Sequence, residues 1–116
     1  MKKKLNISNE IGPNAISMKS GEIIRKQIES HFENDDTVAL DFHGVQIFAT
    51  PFFNASVGSL LKNIEISNLQ NKMEVLNLNE HGKKLLNLVI DNAIKFYSDE
   101  NGNTSNALKE INKDID

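Results

Sequence analysis

Asp41, His43 and Thr50 lie close together in the segment 38–53, which reads VALDFHGVQIFATPFF. An aspartate near the end of a predicted strand can orient a hydroxyl group or coordinate a cation, because strand ends in α/β proteins are common ligand sites. It can equally accept hydrogen bonds from the turn at Gly44 and have no ligand at all. Both interpretations of Asp41 stay open at the level of sequence, and His43 falls in the same loop.

Thr50 is the candidate phosphoryl acceptor, because a helix is predicted to begin here. A phosphate at a helix N-terminus is stabilised by the free backbone N–H groups and the helix dipole. The simpler interpretation makes Thr50 the N-cap and Pro51 the first helical residue, where proline loses no hydrogen bond. We favour the N-cap, since Pro51 also removes an amide that a phosphate would use. Ser56 lies further into this helix and is expected to be a packing or surface hydroxyl.

Composition excludes several kinds of chemistry. The chain of 116 residues has no cysteine, which excludes disulfides and thiolate ligands or nucleophiles, and its formal charge of −3 disfavours nucleic-acid binding. The three histidines lack HxxxH spacing, and no phosphate-binding glycine motif or nucleophile elbow is present. No run is apolar enough to span a membrane or to serve as a secretion signal. We therefore expect a cytoplasmic, non-enzymatic protein without a cofactor, a metal site, a nucleic-acid partner or a membrane partner.

The elements that position these residues follow from hydrophobic periodicity, capping residues and turn residues. We expect the second helix to continue from Thr50 past Leu61 to Ile64, with Ser67–Lys72 as a polar connection. The other predicted elements are an edge strand over 3–8, a short return strand near Ile16, helices over 20–32 and 80–97, strands over 37–42 and 73–78, a loop over 98–104 and a short helix near 107–111.

Alternation of strands and helices predicts an α/β fold with right-handed crossovers. We expect one small mixed or parallel four-stranded sheet with three main helices, part of one sheet face staying open. Residues 1–97 are predicted to form the domain, and residues 98–116 a polar tail or short terminal helix.

Two segments carry a resemblance to a known family. LDFHGVQIFATPFFNASVGSLL resembles the strand, loop and helix at the centre of STAS domains, the fold of bacterial anti-sigma factor antagonists. It is more similar still to the STAS-like family of domains of unknown function, and VLNLNEHGKKLLNLVIDNAI resembles that family's next strand and helix. The resemblance implies a STAS-like fold and, in antagonists, binding to a histidine-kinase-like ATPase that phosphorylates a serine. That serine aligns with Pro51, so Thr50 is the remaining candidate for phosphorylation.

The leading hypothesis is therefore a regulatory module that binds a protein partner of the histidine-kinase-like ATPase class. The predicted partner-binding residues are Asp41, His43, Thr50, Phe52 and Ser56. Of the adjacent rings of Phe52 and Phe53, one is expected to be buried and the other available to the partner. The alternative hypothesis is a small-molecule or nucleotide sensor that uses the open sheet end near Asp41 and His43.

Overall fold

Every strand pair among residues 1–100 is parallel, and the pairs form two separate sheets. The computed structural model describes residues 1–100. The main sheet has the order β1-β3-β5, and a two-residue pair, β2-β4, forms the second sheet. The strands are β1 (Lys2–Asn6), β2 (Asn14–Ala15), β3 (Thr37–Asp41), β4 (Ile47–Phe48) and β5 (Met73–Leu76).

The described part of the chain also contains five α-helices and one short 3-10 helix, of which all but the last along the chain lie between strands. The helices are α1 (Ile7–Ile11), α2 (Met18–Glu33), α3 (Thr50–Ser56), the 3-10 helix (Gly58–Lys62), α4 (Ile66–Lys72) and α5 (Glu80–Glu100). Ser17 caps α2 by accepting a hydrogen bond from the Ser20 amide, and the Asn79 side chain accepts one from the Gly82 amide at the start of α5. The sequence predicts Asn79 as the cap of its helix and leaves Ser17 and Ser20 as alternative caps of the earlier one, of which the structure uses Ser17. No helix among the described residues combines the length and hydrophobicity needed to cross a membrane.

The two faces of the main sheet differ in polarity. The order β1-β3-β5 advances in one direction, so right-handed crossovers place the connecting helices on one face. Val38 and Leu40 of the central strand point into the core on that side. The opposite face carries the exposed side chains of Lys2, Lys4 and Glu74, and Lys2 forms an ion pair with Glu74 across the sheet. Ala39 and Asp41, on the same face of the central strand, are buried, so the part of the face that stays open lies at the edge strands.

A cluster of four phenylalanines fills the core between the sheets and α3. Their ring centroids lie 5.4–6.5 Å apart, mostly in tilted or edge-to-face arrangements, and no ring is more than 8% exposed. Such arrangements add aromatic attraction to the burial of apolar surface. The cluster consists of Phe42, Phe48, Phe52 and Phe53.

The prediction of one four-stranded sheet is wrong. Gly12 and Pro13 turn the chain away from the main sheet after α1, and the backbone oxygen of Pro13 accepts a hydrogen bond from Gln46. The return strand near Ile16 therefore pairs with β4 instead of joining β1. The main sheet keeps three strands among the described residues.

The prediction of three main helices is also wrong. The continuous helix expected from Thr50 to Ile64 divides at Val57, and the next turn is a 3-10 helix that starts at Gly58. Glycine has low helix propensity, and here it also allows Val89 of α5 to pack closely, since a Cβ at Gly58 would lie 3.0 Å from Val89 Cγ1.

Two further helices lie where the sequence indicated other structure. The supposed polar connection 67–72 forms most of α4, whose Leu69 is buried and anchors it on the sheet. Residues 7 and 8, expected in the edge strand, begin α1 instead. The last helix extends to Glu100, beyond the expected end at Tyr97, so positions 98–100 are not loop. The remainder of the predicted loop and the terminal helix near 107–111 lie outside the described residues.

Candidate functional site

Asp41 is the last residue of the central strand, and its carboxylate contacts groups from both neighbouring parts of the main sheet. Oδ1 accepts a hydrogen bond of 2.8 Å from the Asn77 side chain, directly after β5, and one of 3.0 Å from the His43 amide. Oδ2 lies 3.2 Å from Nζ of Lys4 on β1. The single carboxylate at the end of β3 therefore joins a side chain of β1 and the residue that directly follows β5.

The electrostatics of Asp41 follow from these contacts. The Asn77 amide, then the His43 N–H and Lys4, favour the charged form more than burial disfavours it, and they lower the pKa of Asp41 from 3.8 to about 2. The residue is only 4% exposed. Both of its oxygens are occupied, so the hydrogen-bonding interpretation describes the observed contacts. The ligand-sensing hypothesis that relied on Asp41 stays a prediction.

The turn after Asp41 is held in a defined conformation. The Val45 amide donates to the Phe42 backbone oxygen, and Gly44 has φ +88°, which matches the third position of a type II turn. The Ser8 hydroxyl donates to the His43 backbone oxygen at 3.0 Å. The positive φ at Gly44 favours glycine, and a Cβ there would lie 3.0 Å from the Ser8 Oγ, so a larger residue would also displace this hydroxyl. His43 is exposed at its tip.

Thr50 is the first residue of α3 and not its N-cap, which corrects the prediction. The cap position belongs to Ala49, which is extended at φ −145° and donates its amide to Ala15, continuing the β2-β4 ladder. Because the ladder runs to this residue, the helix can begin only at Thr50. Thr50 itself is half-buried. Since α3 has no side-chain N-cap hydrogen bond, the capping argument against modification of Thr50 does not apply.

Phe52 and Ser56 are both completely buried. The expectation that one of two adjacent rings would be available to a partner is wrong, because the cluster uses both. The Ser56 hydroxyl donates to the Phe52 backbone oxygen at 2.8 Å, which satisfies a buried polar group within the helix. These two residues can support a binding surface from behind, and they do not lie on it.

The sequence interpretation missed Lys4, Asn77 and Ser8. A signal was available for Asn77, since polar residues that follow neighbouring parallel strands meet at the same sheet edge. Lys4 faces Asp41 only through the register between β1 and β3, in which Lys4 lies opposite Ala39 and Asn6 opposite Asp41. No sequence pattern specifies that register. Ser8 lies in the short helix that was predicted as strand.

Among residues 1–100, no group of three or more histidine, aspartate or glutamate side chains is arranged to hold a metal ion. The site thus consists of one ionised carboxylate that holds a turn, an exposed histidine and a small second sheet that leads into a helix.

The architecture defines an α/β domain whose loops gather at the carboxyl ends of a parallel sheet covered by helices on one face. A family model described as a STAS-like domain of unknown function (DUF4325) matches residues 20–83. This match covers more than half of the chain, and the chain belongs to that family. It confirms the resemblance seen in the sequence and includes all five predicted partner-binding residues. Searches of curated proteins and of solved structures found no match.

Proposed function

We propose that the protein is a non-enzymatic regulatory module that binds a protein partner through the surface around its second sheet. We name this the loop surface and define it by Ile16, Met18, Ile47 and His43. It lies beside the start of α3, within and next to the segment that carries the family resemblance. The proposal includes the location expected from the sequence, namely that the protein acts in the cytoplasm.

The observation that carries the proposal is the exposure of three large apolar side chains close together in the fold. Ile16 is 42% exposed, Met18 60% and Ile47 51%. Side chains alternate along a strand, so the burial of Ala15 and Phe48 turns Ile16 and Ile47 outward. Isolated exposed apolar residues are ordinary on a protein surface, whereas a cluster of them marks an interaction site.

The loop surface is supported by rigid structure, which favours binding. Asp41 and Ser8 hold the turn that precedes β4, and β4 packs on the phenylalanine cluster through Phe48. A surface ordered before binding loses less conformational entropy on association, so more of its apolar contact contributes to affinity.

The same contacts support a binding role over a catalytic one. Asp41 is the best-placed acid–base group of the segment, yet its oxygens accept from Asn77 and His43 and pair with Lys4. A carboxylate that acts as a general base must have an oxygen within hydrogen-bonding reach of the proton it removes. Because both oxygens of Asp41 already have partners within the fold, these contacts favour a binding role.

The proposed partner is a histidine-kinase-like ATPase, the class that the family resemblance implies. The loop surface combines apolar side chains with few charges, which is the composition of the centre of many protein interfaces. Thr50 lies at the edge of this surface and remains the residue proposed for phosphorylation by such a partner.

The test uses the full chain and a purified histidine-kinase-like ATPase, chosen from the neighbouring genes where one of them encodes such a protein. Affinity is measured by isothermal titration calorimetry with and without ATP. We expect the double substitution Ile16→Asp and Ile47→Asp to weaken binding by roughly 100-fold, since interface centres lose about 2 kcal/mol or more on disruption.

Leu88→Asp is the matched control, because Leu88 is 50% exposed on α5, a helix that packs on α3 and the 3-10 helix. Binding that is unchanged in the double variant, or lost equally in the control, would contradict the loop surface. The absence of binding in every nucleotide state would count against the ATPase itself.

A further inference from the structure

The edge strand β5 borders an apolar groove that lies away from the loop surface. The groove has a volume of about 530 Å³ and runs between α4, β5 and α5. Its floor includes the buried Leu69 and Leu86, and Ile94 at its rim is 37% exposed. Besides Leu69 and Leu86, the apolar residues that line it are Ile66, Met73, Val75, Ile90 and Ile94.

The two edges of the main sheet are protected very differently. β1 carries Lys2, Lys3 and Lys4, and charged edge residues of this kind prevent unwanted strand pairing. β5 pairs with β3 on one side only, and no strand among the described residues lies on its other side. Its sequence, MEVL, carries one charge, on Glu74, which is paired with Lys2, and it has no lysine, proline or glycine to block pairing. The backbone N–H and C=O groups on the unpaired side of β5 can form hydrogen bonds with an extended chain, which would add to the sheet as a further strand.

A negative charge at the groove indicates that the segment bound there carries a positive one. Asp91 is the single charged residue among those that line the groove, it is exposed, and it forms no ion pair with the described residues. An incoming segment with a lysine or arginine beside its apolar residues would complement this carboxylate.

We propose that β5 and its groove bind an extended segment of a partner protein as an added fourth strand. The segment has alternating apolar side chains, which enter the groove, and a basic residue, which pairs with Asp91. This site is separate from the loop surface and does not depend on the proposed ATPase.

The probe is a library of random peptides of about ten residues, the upper length of ordinary strands, selected against the immobilised full chain. We expect the selected peptides to alternate apolar residues and to contain lysine or arginine. Bound peptide should slow hydrogen exchange at the amides of β5. Asp91→Lys and Ile94→Glu should each weaken binding by about tenfold, because one removes the complementary charge and the other the apolar rim.

Leu88→Glu is the control on the same helix and should change peptide affinity by less than about twofold. Circular dichroism melting checks that each variant is folded. The proposal is overturned if the selected peptides lack alternating apolar residues or a basic residue. It is also overturned if both groove variants keep the original peptide affinity, or if bound peptide does not slow hydrogen exchange in β5. If labelled full chain binds the immobilised protein more tightly than the selected peptides do, the occupant is a second copy and the proposal is overturned. If a peptide of residues 101–116 binds more tightly than they do, the occupant is that segment, which also overturns the proposal.

Discussion

At the scale of the residue, Asp41 determines how the loop after the central strand is held. Its carboxylate accepts from the side chain after one neighbouring strand, pairs with a lysine on the other, and accepts from the amide two residues ahead. Each of these contacts favours the ionised form. Asp41 therefore links the main sheet to the loop surface through its charge, which makes its contribution dependent on pH.

We expect Asp41→Asn to lower the free energy of unfolding at neutral pH by roughly 1–2 kcal/mol. The pKa of Asp41 is lowered from 3.8 in the unfolded chain to about 2 in the folded protein. The stabilisation is therefore fully present above the unfolded value and is lost as the pH falls towards the folded one. Urea denaturation across this range, followed by far-UV circular dichroism, should show a flatter acid dependence in the variant.

Asp91→Asn is the control for that experiment, because Asp91 is exposed and forms no ion pair among the described residues. Its profile should match that of the unsubstituted protein. Equal acid sensitivity of Asp41→Asn and the unsubstituted protein would contradict the assigned role.

At the scale of the element, the packing of α2 against α3 determines which residue position 21 can hold. Gly21 lies where the two helices touch, and a Cβ there would be 2.5 Å from the Phe52 backbone oxygen and 2.8 Å from Ala55 Cβ. The sequence predicted both helices, whereas this requirement for glycine depends on their packing. The start of α3 is set in the same way, since the ladder between Ala49 and Ala15 decides where the helix can begin.

Gly21→Ala should destabilise the protein by about 1–3 kcal/mol, because overpacking against backbone cannot be relieved by a rotamer change. In an exposed helix the same substitution would stabilise by about 1 kcal/mol. Thermal unfolding provides the comparison.

Gly82→Ala is the matched substitution in α5, where the nearest atoms belong to the flexible Leu78 side chain. We expect it to cost less than Gly21→Ala, since Leu78 can move. The reverse order of stability would show that the two helices are less closely packed than described.

At the scale of the whole molecule, the phenylalanine cluster joins β3, β4 and α3 into one core. It connects the main sheet, through Phe42, to the second sheet, through Phe48, and both to the helix that follows. The loop surface lies directly outside this cluster, so the stability of the fold and the shape of the proposed binding surface depend on the same side chains.

Phe53→Ala should therefore lower the free energy of unfolding by about 3–5 kcal/mol, a large part of the stability of an ordinary domain. Phe96→Ala is the control, because Phe96 is 60% exposed, and we expect it to change stability by no more than about 0.5 kcal/mol. Chemical denaturation followed by far-UV circular dichroism measures both. Similar losses in the two variants would contradict the central role of the cluster.

The sequence by itself determined the three main strands, the two long helices, the cap at Asn79, and the family. These features are local: periodicity, capping residues and a continuous motif lie within short stretches of chain. Only the tertiary structure decided the division of the sheet, the burial of Phe52 and Ser56, and the contacts of Asp41 with Lys4 and Asn77. Each of these depends on strand register or helix packing, which brings together residues that are distant in sequence and that no local pattern relates.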